Sequence, residues 1–323
     1  MTDIKPEDEN HFVALSECHF MNPGTLAEVA YYPDNQRWWD SVDGVMRAWS
    51  NRDLTGEWPH PLAEELIKYM DEAKVDVCFA LREGMMDISG GTVSFSTNQF
   101  MINQIEPYPE RMYLECMVGP IIKRGVKHAI WELEYMVKEC NAKLCKVYAP
   151  EDLGGLDDRR LWPFYEKACE LDIALTVHTG MSYVVPQPSC HTHPDRLDQV
   201  LLDFPELKII AYHMGWPHTE ELIGLAGKHT NLYLSMSGII GWYARSPYRG
   251  YHAIGTALQW VEPHKIVMGL DLTFDDMKRV VDWVRTLQIP EELREQYGYL
   301  EITEDMRKGF LGTNLARLAK IEP

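Results

Sequence analysis

Short apolar runs recur along the chain and alternate with segments whose apolar positions follow helical spacing. The runs are Phe12 to Leu15, Val75 to Leu81, Met112 to Val118, Lys143 to Tyr148, Ala174 to Val177, Leu207 to Tyr212, Leu232 to Met236 and Ile266 to Leu270. Each is too short for a helix and rich in β-branched or aliphatic residues, the signature of strands buried on both faces. Leu62–Ala73, Leu161–Glu170, Leu197–Asp203 and Glu220–Lys228 stand between them as helices. Strand alternating with helix predicts a parallel sheet, and eight such strands predict an α/β fold of the (β/α)8 TIM-barrel type. A doubly wound open sheet is the competing architecture, and no Gly-rich phosphate loop supports it.

The rhythm breaks over residues 22–61. Pro23, Gly24, Pro33, Gly44, Gly56, Pro59 and Pro61 punctuate a stretch that also carries Trp38, Trp39, Trp49 and Trp58. It reads as a cap or lid inserted after the first strand, within a single domain spanning 1–323. Arg245, Tyr248 and Arg249, after the seventh strand, are read as part of a Gly/Pro-rich loop that could cover the site or meet a partner subunit.

Composition narrows the classes of function. Lys and Arg total 31 against 49 Asp and Glu, a formal net charge of −18. Such a surface disfavours nucleic acid and anionic membranes. No run of 18 apolar residues predicts a membrane span. The polar start, Met1 to Asn10, lacks the apolar core of a signal peptide. Seven cysteines, an odd number without a Cys-x-x-Cys pair, fit reduced thiols. A cytoplasmic protein is therefore expected.

In a barrel of this kind the chemistry sits at the C-terminal strand ends. There the chain offers Glu17 and His19, two residues apart, then His178, His213 and Asp271. Two residues apart on a strand, side chains face the same way and can reach one ion. Two histidines with two carboxylates form a ligand set suited to Zn, Mn or Fe, with positions left for water or substrate. Each residue also has an ordinary alternative: a histidine as a structural hydrogen bonder, Glu17 in an ion pair, Asp271 as a helix cap.

The motifs resemble the amidohydrolase superfamily, in its second amidohydrolase family, over about Val13 to Leu318. The opening Val13-Ala14-Leu15-Ser16-Glu17-Cys18-His19-Phe20 resembles the Glu-x-His start of the aromatic-acid decarboxylases. Lys146-Val147-Tyr148, Leu161-Trp162-Pro163-Phe164-Tyr165, Val177-His178-Thr179-Gly180, His193-Pro194, His213-Met214-Gly215 and Gly312-Thr313-Asn314-Leu315 are similar to later family segments. The resemblance implies one divalent metal, Zn or Mn, held by Glu17, His19, His178 and Asp271, with His213 as general acid/base. It implies decarboxylation of a hydroxylated aromatic or related small acid. It also implies an oligomer: a homo-oligomer, or a hetero-oligomer with a paralogue.

The chain departs from that pattern in specific places. The decarboxylases carry a Glu three residues after the His that corresponds to His213; this chain has Trp216. Leu270 stands before Asp271 where Thr or Ser is usual. His191 is additional, and with His213 offers a second metal site. That leaves two alternatives open: a dinuclear non-haem Fe or Mn/Fe oxygenase, and a non-catalytic metal-binding subunit. Arg82, Lys146 and Trp216 are candidates for substrate binding, the first two through charge and the third by stacking; the ordinary alternatives are a salt bridge to Glu83 or Asp87 for Arg82, a structural ion pair for Lys146 and core or lid packing for Trp216.

Overall fold

The computed structural model describes residues 11–20, 62–82, 84–86, 92–94, 96–182, 188–271 and 277–323. The expected cap at 22–61 lies outside these residues.

The core is a ring of parallel strands: β1 (Ala14–Phe20), β2 (Val77–Arg82), β5 (Met112–Met117), β6 (Leu144–Val147), β7 (Ala174–Val177), β8 (Ile209–Ala211), β9 (Leu232–Ser235), β10 (Ile266–Val267) and β11 (Gly269–Asp271). Two short segments, β3 (Gly84–Met86) and β4 (Thr92–Ser94), form a separate antiparallel pair. The large sheet runs β10-β9-β8-β7-β6-β5-β2-β1-β11. Only Met268 separates β10 from β11, so they are two halves of one chain run. The first half pairs with β9 and the second with β1, which brings the sheet round into a barrel.

The expected strands fall where the apolar runs are, with two corrections. β1 does not end at Leu15. It continues to Phe20, with its register against β2 shifting between Leu15 and Cys18. The polar residues there are buried inward-facing groups, not a strand terminus. The loop expected around Arg245, Tyr248 and Arg249 is instead helical: Arg245 ends the helix Ile239–Arg245, and Tyr248 and Arg249 open the helix Pro247–Trp260. Pro247 serves as the first residue of the second helix, where its missing N–H costs nothing.

Strand alternation divides the barrel into layers. Apolar residues fill the lower interior: Ala14, Val77, Phe79, Leu144, Ala174, Ile210, Tyr233 and Val267, closed beneath by Leu315, Leu318 and Ala319 of the last helix. Two residues further along the same strands come Glu115 above Tyr113, Lys146 above Leu144, Thr176 above Ala174, and Tyr212 above Ile210. Side chains two apart share a face, so the apolar plug becomes a polar floor at the C-terminal end. The outward residues of those strands, among them Leu114, Cys116, Cys145, Leu175 and Ala211, pack under the surrounding helices. All seven cysteines are free. Among the described residues no helix is long and apolar enough to cross a membrane.

Candidate metal centre

Glu17, His19 and Asp271 converge at the C-terminal mouth. One donor atom from each lies within 4.8 Å of the others. His19 Nε2 is 3.6 Å from Glu17 Oε1 and 3.6 Å from Asp271 Oδ1. Pairing of β1 with β11 produces this, because it sets Cys18 opposite Asp271 and so flanks Asp271 with Glu17 and His19. Glu17 and His19 are buried, and Asp271 is partly so.

His213 joins them from the turn Tyr212–Gly215 that follows β8. Its Nε2 lies 3.8 Å from Glu17 Oε1, and its Nδ1 lies 3.9 Å from Asp271 Oδ2. His178, at the end of β7, reaches the cluster through His213: the two rings meet Nδ1 to Nε2 at 2.9 Å. The far Nε2 of His178 faces the Met181 carbonyl at 3.1 Å, and the far Nδ1 of His213 faces the Ser237 carbonyl at 3.0 Å. A carbonyl only accepts. Assigning protons from this network, His178 carries its hydrogen on Nε2 and accepts from His213, and His213 donates from both nitrogens. The Ser237 carbonyl thus occupies the orienting role that the position of Trp216 does not supply.

The electrostatics are those of several charges buried close together. Burial alone would raise the Glu17 carboxyl, but Lys146, His213 and His19 outweigh it and hold it well below its ordinary range. Lys146 forms a short ion pair with Glu17 Oε1 and rests 4.0 Å over the ring of Tyr212. Asp271 shows the opposite balance. Burial and then the charge of Glu17 push it up to about 6. Burial, then His213 and Lys146, hold the His178 imidazole well below its ordinary value. The donors are oxygen and imidazole nitrogen, and two are carboxylates, a combination that fits a borderline divalent ion such as Mn or Zn.

Backbone geometry shows how closely the site is packed. Glu17, His213 and Asp271 have φ of 56°, 62° and 60°, in the left-handed region that costs an L-residue about 1–2 kcal/mol. Gly238, at φ 66°, lies beside them. A Cβ there would sit 2.6 Å from Asp271 Oδ2 and 3.1 Å from His213 Nδ1.

Two residues of this site carried no earlier expectation. Glu115 is fully buried. It accepts from Thr176 Oγ1 at 2.6 Å, from the Tyr212 hydroxyl at 2.7 Å, and from the backbone N–H of Glu17 at 3.0 Å. Its signal in the sequence is a lone carboxylate inside the apolar run Met112 to Val118. Ser237 donates a short hydrogen bond to Glu17 Oε2 while its carbonyl holds His213. Its signal is weaker, a Ser-Gly pair just past a strand.

The other candidates are placed as follows. Lys146 is in the cluster, bound to Glu17. Arg82 is buried and donates to the carbonyls of Met117 and Gly119 at 2.9 and 3.0 Å. Trp216 packs edge-on to Trp242, and its carbonyl accepts from the Met181 N–H at 2.7 Å. His191 lies on the turn Ser189–Thr192; burial, then Arg196, lower its imidazole. It belongs to neither group of three potential metal donors found among the described residues.

The profile of the Amidohydrolase family (Amidohydro_2) matches residues 97–319. The chain belongs to this family. No curated protein matches the chain. Among solved structures, an uncharacterised TIM-barrel protein from Bordetella bronchiseptica superposes with a TM-score of 0.67 at 18% identity, covering 95% of this chain and 99% of that one. A 5-carboxyvanillate decarboxylase from Novosphingobium aromaticivorans, a mutant with bound manganese and 3-methoxy-4-hydroxy-5-nitrobenzoic acid, gives 0.66 at 14%, covering 99% and 100%. The 5-carboxyvanillate decarboxylase from Sphingomonas paucimobilis gives 0.64 at 17%, covering 97% and 100%. At these identities the likeness establishes the TIM-barrel fold.

Proposed function

We propose that this amidohydrolase is a metal-dependent decarboxylase of a small hydroxylated aromatic or related acid. The observation that carries the reading is the convergence of Glu17, His19 and Asp271 on one point beside the hydrogen-bonded pair His213–His178. Family membership and the manganese-bound decarboxylase among the structural neighbours support it.

In this reading Glu17, His19 and Asp271 hold a divalent ion. His178 would stand beside them, linked through His213. A divalent ion held there would supply Lewis acidity toward a substrate carboxylate. His213 holds the transferable proton on Nε2, with the ring oriented through Nδ1 by Ser237. The step needs one proton delivered to the carbon bearing the carboxylate, followed by cleavage of the bond to CO2. A histidine fixed by one nitrogen and presenting the other is suited to that delivery. Lys146 holds Glu17 ionised.

The test is CO2 release from a panel of ortho-hydroxylated aromatic acids by protein loaded with manganese or zinc. Metal-dependent release that His213→Asn abolishes, with the ion retained, is the expected result. No release across the panel from a chain carrying its ion would overturn the proposal.

A further inference from the structure

A second group of donors lies outside this centre. His193, His218 and Glu221 each offer one ligand atom within 4.8 Å of the others. His193 follows the turn Ser189–Thr192. His218 caps the helix Thr219–Lys228, and Glu221 lies in its first turn.

Three features fit a transition metal better than a chance contact. First, the separations suit a shared ion. Glu221 Oε2 is 3.6 Å from His193 Nε2 and 3.7 Å from His218 Nδ1. Tetrahedral zinc, with bonds of about 2.0–2.1 Å, sets its donors roughly 3.3 Å apart. Small side-chain rotations close that difference.

Second, His193 is prepared as a ligand. Its Nδ1 meets Asp195 Oδ1 at 2.8 Å. The carboxylate accepts, so the hydrogen is on Nδ1, and Nε2 turns its lone pair toward Glu221 and His218. Metal-binding histidines ordinarily have this carboxylate behind them, fixing the tautomer and raising the basicity of the ligating nitrogen.

Third, the imidazoles are close and tilted, with ring centres 4.2 Å apart at 60°. That approach brings both rings up to the one carboxylate of Glu221. The group is only partly covered, with His193 30%, His218 39% and Glu221 43% exposed, so an ion reaches it from solvent.

We propose that His193, His218 and Glu221 form a rim site for Zn2+, with Asp195 as the positioning carboxylate and water completing the shell. The site would clasp two segments that already touch. The Gly180 N–H donates to the Thr192 carbonyl at 2.9 Å, and the Met181 N–H donates to the Trp216 carbonyl at 2.7 Å. These segments follow His178 and His213 in the chain, so zinc at the rim would brace the loops beside the proposed active centre without entering it.

The test uses the full chain with the inner donors removed, His19→Ala with Asp271→Ala, dialysed against micromolar ZnCl2 and analysed for zinc by mass spectrometry. The proposal predicts one zinc per chain in that background, none after further His218→Gln or Glu221→Gln, and roughly tenfold weaker binding after Asp195→Asn. It also predicts a rise in thermal midpoint on adding zinc that is lost in the same variants. Circular dichroism shows whether each variant is folded, and the two independent substitutions guard against the failure of one. No zinc in the inner-donor background, or zinc undiminished by both His218→Gln and Glu221→Gln, would overturn it.

Discussion

Glu115 Oε2 accepts the backbone N–H of Glu17 at 3.0 Å and thereby holds Glu17 in its left-handed conformation. The bond joins the polar floor of the barrel to the first proposed metal donor. Glu115 is a positioning residue: it faces Thr176, Tyr212 and Glu17 and not the mouth.

Glu115→Ala removes one acceptor from two buried hydroxyls and one buried N–H. Each unsatisfied group costs about 1–3 kcal/mol, offset in part because a buried carboxyl is removed with it. Urea unfolding should show a loss of roughly 2–4 kcal/mol, with weaker metal retention in the fraction that folds. An unchanged midpoint and full metal content would show that Glu17 is held by other means.

Lys146→Met should act mainly on the metal-free protein. It removes the nearest cation from buried Glu17 and leaves only His19, His213 and the Ser237 hydroxyl beside it; breaking a buried pair costs up to about 3–5 kcal/mol. A bound divalent ion supplies the missing positive charge, so thermal unfolding should show a large drop without metal and a smaller one with it. Equal drops in the two states would contradict this pairing.

Metal uptake should depend on pH through Asp271. In the metal-free site its carboxyl titrates at about 6. Binding needs the ionised form, so protons compete below that value. Apparent affinity should climb with pH up to about 6 and then flatten. Asp271→Asn should weaken binding and remove that inflection. An affinity independent of pH between 5 and 7 would be inconsistent with Asp271 as a ligand.

Gly238→Ala tests how closely the site is packed. The added methyl would meet Asp271 Oδ2 at 2.6 Å and His213 Nδ1 at 3.1 Å, at a φ of 66°. The backbone penalty alone is about 1–2 kcal/mol. Loss of metal together with loss of stability is expected. A variant that keeps both would show that the Asp271 and His213 side chains have room to move.

Much of the barrel was legible because its signals are local. A strand buried on both faces is an apolar run, and a helix against it repeats every three to four residues. Glu17, His19, His213 and Asp271 could be placed because strand ends share one face of the barrel. What escaped depends on distant partners. Ser16, Glu17 and His19 resemble the end of a strand unless β2 and β11 are known to flank them. Glu115 gains meaning only from Thr176 on β7 and from Tyr212 just past β8. Lys146 meets Glu17 from 129 positions away. His191 illustrates the converse. It is near His193 in sequence, yet the turn sets it apart from both donor groups, and His193 with His218 forms the second one.

The central claim is that Glu17, His19 and Asp271 hold one divalent ion. It is tested most directly by elemental mass spectrometry in the His218→Gln background, where the rim site does not contribute. About one Mn or Zn per chain, lost on adding either His19→Ala or Asp271→Ala to protein that remains folded, is the predicted result. Equal metal content with and without those donors would contradict the account.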